Sequence, residues 1–297
     1  VTDRAKSKRV KQVKKYIDEW KKVYITWCWS IELWDLLDEK KFFDIYKELK
    51  KYKDNIVLLW QRPENQIFSN KEDIYTKKFI VIQNGRDTHC SFCLTVLKRW
   101  KSYSIPTQDI ISQINDFEKD GGKEIVLTGI NLAAYGTTNT RLPKTTKINQ
   151  LLKDILANTS VQRIRISSLW PEFLDDEFFG LMENQKFLPH FHFSIQSFND
   201  EILKSMNRNY DSKTLDYVLT NIRNLKRKEI ISVWADMIVG FPWETKEHFA
   251  STMDWVQKYE INKLHVFPFS AHRKYDKIPA SDLPCQVMNS AIKQRVK

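Results

Sequence analysis

Residues 79–93 read FIVIQNGRDTHCSFC, an apolar run followed by a polar loop that carries two cysteines. The β-branched and aromatic residues at its start are typical of a buried strand, and Asn84-Gly85 marks the turn where that strand ends. The loop then places Cys90 and Cys93 in a C-x-x-C spacing directly after the strand. Reactive side chains are therefore predicted at the carboxyl end of a strand, where α/β folds place their binding sites.

The same order of strand, loop and helix recurs through the rest of the chain. Strands are predicted over Phe79–Gln83, Glu124–Thr128, Arg163–Ser167, His190–Gln196, Ile230–Met237 and Lys263–Phe267. Apolar periodicity between them predicts helices near 107–119, 147–158, 173–184, 211–227 and 245–259. Six such units indicate an α/β fold with parallel strands and right-handed crossovers, either a barrel or an open doubly wound sheet.

The first part of the chain has a different pattern. Residues 4–22 predict a basic amphipathic helix, Val23–Thr26 a short buried strand before Cys28, residues 35–55 a charged helix and residues 55–59 another strand. The polar stretch 61–76 is the predicted linker. We therefore expect two domains, residues 1–75 and residues 76–297.

Composition and charge limit the class of protein. Lys+Arg 48 against Asp+Glu 37 gives a net charge of +11, which is compatible with a polyanionic partner such as nucleic acid and equally with a basic protein that has none. No apolar run is long enough for a membrane span. Four cysteines in a chain of 297 residues do not make a disulfide framework, so we expect a cytoplasmic protein.

The C-x-x-C pair has several interpretations when taken alone. It is compatible with a redox pair, half of a zinc site, part of an iron–sulfur site or two buried thiols. The surrounding sequence lacks the thioredoxin-type context that a redox pair normally has, and the other three interpretations stay open.

The segments at the predicted strand ends resemble those of the radical SAM methylthiotransferases. That family places C-x-x-x-C-x-aromatic-C after its first barrel strand; here Cys90, Phe92 and Cys93 fill the later positions, and Arg86 stands at the first cysteine position. The family's later strand motifs are similar to EIVLTGINL at 124–132, RIRISSL at 163–169, HFHFSIQS at 190–197, DMIVGFPWET at 236–245 and LHVFPFS at 264–270. Residues 128–131 and 206–210 are most similar to the threonylcarbamoyladenosine tRNA methylthiotransferase branch.

This resemblance implies a fold, a reaction and partners. The fold would be a partial (βα)6 TIM-like barrel preceded by the remnant of a small α/β N-terminal domain, with the chain truncated at both ends. The reaction would be methylthiolation of N6-threonylcarbamoyladenosine next to the anticodon. The cofactors would be S-adenosylmethionine and two 4Fe-4S clusters, with Cys90 and Cys93 at the radical SAM cluster and Cys28 at the auxiliary cluster. The partner would be tRNA, and we expect a monomer.

The resemblance also suggests cofactor-binding residues but identifies no catalytic residue. Position by position, the residues expected near S-adenosylmethionine are Thr128, Gly129, Ser194, Gln196, Gly240, Phe241 and Pro242. Arg165 and Arg208 would line the same open end of the barrel. They would either bind a carboxylate or phosphate there or form structural ion pairs. His89 and His192 are interpreted as packed or surface residues, and Cys285 as an ordinary thiol.

Arg86 departs from the family pattern. A guanidinium stays protonated and offers iron no lone pair, so it cannot replace a thiolate. Two alternatives therefore remain beside the methylthiotransferase: a catalytically inactive tRNA-binding remnant, and a radical SAM enzyme that acts on another substrate.

The balance of glycine and tryptophan is also unusual. The chain has 7 Gly and 10 Trp, whereas ordinary usage predicts about 21 glycines. In the family, glycine is usual at the positions of Trp27, Trp60, Trp100, Trp170 and Trp243; Trp29 and Trp234 are also suspect, whereas Trp255 has the context of a genuine residue. Our hypothesis is that these codons are UGA read as glycine, with gene decay as the competing explanation. UGG codons at 27, 170 and 243 would contradict it.

Overall fold

The computed structural model describes residues 11, 14–15, 18, 23–26, 56–59, 77–86, 89–93, 101–137, 147–271, 279–283 and 286–296. The chain divides into two compact units, residues 1–71 with 97–99 and residues 72–96 with 100–297. The boundary expected at residue 75 and the identity of the first unit stay predictions.

The first unit contains the two strands that its sequence predicts. Strand β1 (Val23–Thr26) pairs in parallel with β2 (Ile56–Leu59), with Val23 opposite Ile56. The four described residues between 11 and 18 are helical, as predicted. Cys28, the helix expected over 35–55 and the linker over 61–76 lie outside the described residues.

The second unit alternates strands with helices, as its pattern predicts. Its strands are β3 (Lys77–Val81), β4 (Gln83–Asn84), β5 (Tyr103–Ser104), β6 (Glu124–Thr128), β7 (Arg163–Ile166), β8 (His190–Gln196), β9 (Ser232–Val239) and β10 (Lys263–Pro268). Its helices are α1 (Thr107–Lys119), α2 (Ile148–Asn158), α3 (Asp176–Met182), α4 (Asp200–Ser205), α5 (Ser212–Arg223), α6 (Lys246–Lys258) and α7 (Asn289–Val296). None of the described helices is long and apolar enough to cross a bilayer.

Six parallel strands follow one another in chain order. One sheet has the order β3-β6-β7 and another β8-β9-β10, all paired in parallel. A parallel bridge between Leu169 and Phe193 links the two sheets, with Leu169 N donating to His192 O at 2.7 Å and Ser194 N donating to Leu169 O at 3.1 Å. Because the strand order never reverses, as it would in a doubly wound sheet, the arrangement is a partial barrel.

The core lies between the strands and the helices outside them. Along β8, Phe191, Phe193 and Ile195 are buried against this core, while His190, His192 and Ser194 alternate with them on the opposite, less buried face. The helices contribute apolar stripes of the kind that α5 shows at Leu215, Val218, Leu219 and Ile222. The alternation leaves polar side chains on the inner face of the partial barrel.

Element boundaries differ from expectation where short polar groups cap helices. Helix α3 begins at Asp176 because Pro171–Phe173 forms a 3-10 turn and the side chain of Asp175 accepts a hydrogen bond from Phe178 N at 2.9 Å. Strand β9 begins at Ser232 rather than Ile230, which is 90% exposed. The short helix α4, capped by Asn199, is absent from the helices that apolar periodicity predicts.

The tryptophans that the structure describes only partly show the backbone conformation, with positive φ, that favours glycine. Trp243 has φ 65°, in the left-handed region that favours glycine. Trp170 has φ −107° and ψ 131°, an extended conformation open to any residue, so a conformational need for glycine is wrong there. Trp234 lies within the regular strand β9, and Trp255 stacks on Phe198 and Tyr259.

Candidate functional site

The cysteine loop is attached to the turn that follows α4. Cys93 N donates to Cys90 O at 3.0 Å, which closes a tight turn. Ser91 N donates to Met206 O at 3.1 Å, and Ser91 Oγ donates to Ser205 O at 2.7 Å. These bonds place the two thiols beside residues that follow β8.

Gln83 joins the cysteine loop to the end of β6. Its Oε1 accepts from Ile130 N and Asn131 N, each at 3.0 Å, and its Nε2 donates to Ser102 Oγ at 2.7 Å and to Gly85 O at 3.1 Å. A Cβ at Gly129 would lie 2.8 Å from Gln83 O, so this contact requires glycine. Sequence reasoning treated Gln83 only as the end of a strand and missed this role.

Arg86 contacts both thiols of the C-x-x-C pair. Its Nη2 donates to Cys90 Sγ at 2.8 Å, and its Nη1 donates to Cys93 Sγ at 3.3 Å. Cys90 and Cys93 form no disulfide. A cationic donor thus lies on the two sulfurs where a third thiolate would be required, so the residues present do not fit a three-cysteine iron–sulfur cluster.

Trp170 stacks with two guanidinium groups. The ring centroid lies 4.7 Å from Arg86 Cζ and 4.5 Å from Arg208 Cζ. Arg208 Cζ also lies 5.6 Å from each of the rings of Phe92 and Tyr210. Cation–π contacts of this kind stabilise charges removed from water. The large side chain at 170 is therefore part of the site, although the family resemblance suggests glycine there.

Two charged groups beside this tryptophan have buried atoms without hydrogen-bond partners. They are both carboxylate oxygens of Glu172 and the Nε and Nη1 atoms of Arg208. Burial raises the pKa of Glu172 to about 7, against the opposing charges of Arg208 and Arg86. Buried polar atoms normally have partners, so these atoms are candidates for binding a polar ligand. Glu172 had no signal in the sequence.

The structure places the predicted S-adenosylmethionine residues at several strand ends. Thr128 ends β6, and Gln196 ends β8 with φ 71°. Ser194 Oγ lies 3.4 Å from Asp236 Oδ2, a long hydrogen bond. Contact of these residues with the cofactor stays a prediction.

The Gly240-Phe241-Pro242 segment follows β9 and is buried. Gly240 has φ 73°, and its N–H donates to Glu244 Oε2 at 2.6 Å. Phe241 is fully buried, and its ring packs edge-on against Phe92 and Phe269. This packing joins the segment to the cysteine loop; its predicted approach to adenine is untested.

Arg165, expected at the same open end of the barrel, has an acidic neighbour. Its Nε lies 3.5 Å from Glu124 Oε1, while Arg163 Nε lies 3.1 Å from Glu124 Oε2. The alternative of a structural ion pair therefore describes Arg165 better than that of a ligand for an anion.

Three adjacent strands bring together a second polar group that sequence reasoning missed. Asp236 Oδ1 lies 2.8 Å from His192 Nε2 and 3.1 Å from His265 Nδ1, and Ser168 Oγ lies 3.1 Å from His192 Nδ1. Burial alone would raise the pKa of Asp236, but the hydrogen bonds and charges of the two histidines outweigh it and lower that pKa. The residues are far apart in sequence, so only strand pairing makes them neighbours.

Comparison with known proteins gives the geometry its context. A family model described as "Radical SAM superfamily" matches residues 80–256. Threonylcarbamoyladenosine tRNA methylthiotransferase MtaB of Rickettsia prowazekii is 36% identical over 78% of this chain and 56% of its own length. A tRNA-2-methylthio-N(6)-dimethylallyladenosine synthase of Clostridium tetani is 30% identical over 86% of this chain and 56% of its own length. The chain thus spans about half the length of these curated relatives.

Solved structures share the fold at low sequence identity. The radical S-adenosylmethionine methyltransferase TsrM of Kitasatospora setae aligns with TM-score 0.52 and 16% identity over 64% of this chain and 36% of its own. Coproporphyrinogen III oxidase of Escherichia coli aligns with TM-score 0.51 and 18% identity over 78% of this chain and 54% of its own. The parallel strand order, the cysteine loop after its first strand and the match over 80–256 agree: the chain belongs to the radical SAM superfamily.

Proposed function

We propose that this chain is part of an enzyme that methylthiolates N6-threonylcarbamoyladenosine next to the anticodon of tRNA. The observation that carries the proposal is the similarity to a protein of that name, 36% identical over 78% of this chain. The inner face of the partial barrel supports it, because polar side chains from successive strand ends line one concave surface. Relatives that act on dimethylallyladenosine make the choice of adenosine a proposal as well.

The charged groups beside Trp170 suit the amino-acid part of S-adenosylmethionine. The buried Nε and Nη1 of Arg208 lack partners and would bind the carboxylate, and the buried Glu172 carboxylate would accept hydrogen bonds from the ammonium group. Bound S-adenosylmethionine would supply the methyl group of the product. The rings of Trp170 and Phe92 would exclude water from the ligand, because both contact the Arg208 guanidinium.

The charge of the chain supports a tRNA partner. Its net charge of +11 favours binding to a polyanion through phosphate contacts. A cytoplasmic location, a monomeric state and an auxiliary cluster bound by Cys28 belong to the same proposal.

A second candidate function is tRNA binding without catalysis. Arg86 favours it, because its guanidinium donates to Cys90 Sγ and Cys93 Sγ and cannot bind iron. In this alternative the barrel and the tRNA affinity persist, whereas the radical chemistry is lost. A radical SAM enzyme with another substrate remains the third alternative.

Position 86 separates these candidates experimentally. The chain, Arg86→Cys and the control Arg86→Ser would be reconstituted anaerobically with iron and sulfide, and iron, sulfide and absorbance measured. We expect the cluster in Arg86→Cys alone, because only that variant adds a third thiolate. Equal cluster absorbance in all three would contradict a ligand role for position 86.

Product analysis then tests the reaction itself. Each protein would be incubated with S-adenosylmethionine, a reductant and tRNA that carries either threonylcarbamoyladenosine or dimethylallyladenosine (also called isopentenyladenosine). The nucleosides would then be identified by mass spectrometry. Methylthiolated threonylcarbamoyladenosine from Arg86→Cys supports the first proposal. tRNA binding without product from any variant supports the second, and methylthiolation of isopentenyladenosine alone would overturn the assignment of substrate.

A further inference from the structure

The His192–Asp236–His265 group lies on three neighbouring strands of the inner face. Asp236 in β9 pairs directly with His265 in β10, and His192 in β8 pairs with Trp234, two residues before Asp236. Residues two apart on a strand share a face. The three side chains therefore converge because of strand register, and Asp236 lies where the pairing of β8 with β9 shifts, between Phe193 and Gln196.

Their atoms have the spacing of a metal-binding set. One ligand atom from each residue lies within 4.8 Å of the other two. Bonds of about 2.0–2.1 Å to tetrahedral zinc place ligand atoms about 3.3 Å apart. The two His–Asp distances of 2.8 and 3.1 Å are a few tenths of an ångström shorter than that spacing, a difference that side-chain rotation can supply.

The surroundings also suit a bound cation. Ser168 Oγ lies 3.1 Å from His192 Nδ1 and can orient that ring through the nitrogen remote from Asp236. When Ser168 accepts a hydrogen bond from Nδ1 of the neutral ring, His192 Nε2 keeps its lone pair on the side of Asp236, as a metal ligand must. The edges of Trp234 pack against both His192 and His265 and limit their movement.

We propose that His192, Asp236 and His265 bind a divalent d-block cation such as zinc, leaving a fourth position for water. Two imidazoles and one carboxylate form a donor set that this class of ion prefers. The side chains of His192 and Asp236 are each 19% exposed and that of His265 is 33% exposed, so an ion can enter from the inner face. The group contains no residue of the cysteine loop, and the proposal does not rest on the proposed function. It revises the interpretation of His192 as merely packed.

Metal titration of the whole chain tests the site. Zn²⁺ binding would be measured by isothermal titration calorimetry for the parent, Asp236→Asn and His265→Ala. His190→Ala is the matched control, because His190 lies on the same face of β8 outside the group, and Cys90→Ser with Cys93→Ser removes the competing thiols. In the background without these two thiols, we expect one Zn²⁺ with or without His190→Ala, and at least about 100-fold weaker binding when Asp236→Asn or His265→Ala is added.

X-ray absorption of the zinc-loaded Cys90→Ser, Cys93→Ser protein gives a readout that needs no ligand variant. Nitrogen and oxygen neighbours at about 2.0–2.1 Å with a histidine scattering pattern are expected. Circular dichroism would show whether each variant is folded. Absence of a histidine pattern, binding unchanged in folded Asp236→Asn and His265→Ala, or no Zn²⁺ binding by the parent would overturn the proposal.

Discussion

Trp243 shows how one residue can conflict with its backbone. At φ 65° a residue with a Cβ is strained, whereas glycine is not. The indole is 42% exposed, so its packing offsets only part of this cost. The position therefore has the conformational signature of glycine, independent of any codon assignment.

Replacing this residue should stabilise the fold. We expect Trp243→Gly to raise the free energy of unfolding by about 1 kcal/mol, because relief of left-handed strain exceeds the entropy cost of glycine. Urea denaturation would measure it. The matched control is Trp255→Gly in helix α6. It removes an indole that stacks on Phe198 and Tyr259, and it should lower the free energy of unfolding by about 3 kcal/mol or more. A less stable Trp243→Gly would show that the strain is absent.

Glu172 should make stability depend on pH near neutrality. Its folded pKa of about 7 exceeds the ordinary value of 4.5, so the folded state binds a proton more tightly than the unfolded state. Its contribution to stability therefore falls as the pH rises from 4.5 to 7. We expect the free energy of unfolding of Glu172→Gln not to show this decline. At pH 8 it should exceed that of the parent by on the order of 3 kcal/mol.

Unfolding midpoints between pH 4.5 and 8 would measure this difference. Glu177→Gln is an informative control, because hydrogen bonds from Lys153 and Asn149 lower the pKa of Glu177. A lowered pKa stabilises above the unfolded value, so this variant should lose stability at neutral pH. Parallel pH profiles for the parent and Glu172→Gln would refute the raised pKa of Glu172.

At the scale of elements, helix α5 depends on Asp211, the N-cap residue that precedes it. Asp211 accepts hydrogen bonds from Thr214 N and Thr214 Oγ1, each at 2.9 Å, and these bonds lower its pKa. Capping satisfies N–H groups that the helix leaves unpaired. The apolar stripe of α5 belongs to the buried core, so the cap also helps to hold that stripe in place.

Asp211→Ala should destabilise the protein by about 1 kcal/mol at neutral pH. Because the pKa of Asp211 is lowered, its contribution is present above the unfolded value and is lost as the pH falls through the folded one. The difference from the parent should therefore shrink in acid. Asp211→Asn keeps a capping oxygen and should retain most of the stability; thermal melts at both pH values distinguish the three proteins.

At the scale of the whole molecule, charge should govern association with tRNA. A net charge of +11 predicts binding that releases counterions from phosphates. We expect affinity to fall by about tenfold or more between about 50 and 200 mM KCl. Filter binding at several salt concentrations would measure the slope, with an uncharged peptide nucleic acid of the anticodon sequence as control. An affinity for tRNA that is independent of salt would argue against the phosphate contacts.

Much of the fold follows from local patterns in the sequence. Alternating apolar residues such as Phe191, Phe193 and Ile195 predicted strands because side-chain direction has a period of two. Boundaries were less predictable, since Asp175 and Asn199 cap helices through hydrogen bonds that depend on the following turn. The choice between barrel and doubly wound sheet needed the strand order, which no local pattern contains.

The sequence by itself determined the α/β pattern, the family resemblance and the anomaly at Arg86, because each depends on residue type and spacing along the chain. Tertiary structure alone decided that Arg86 donates to both thiols, that Trp170 stacks with two guanidiniums and that His192, Asp236 and His265 converge. These groups bring together residues that are far apart in sequence, such as Arg86 and Arg208. Their contacts arise from strand register and turn packing, which act across the chain rather than along it.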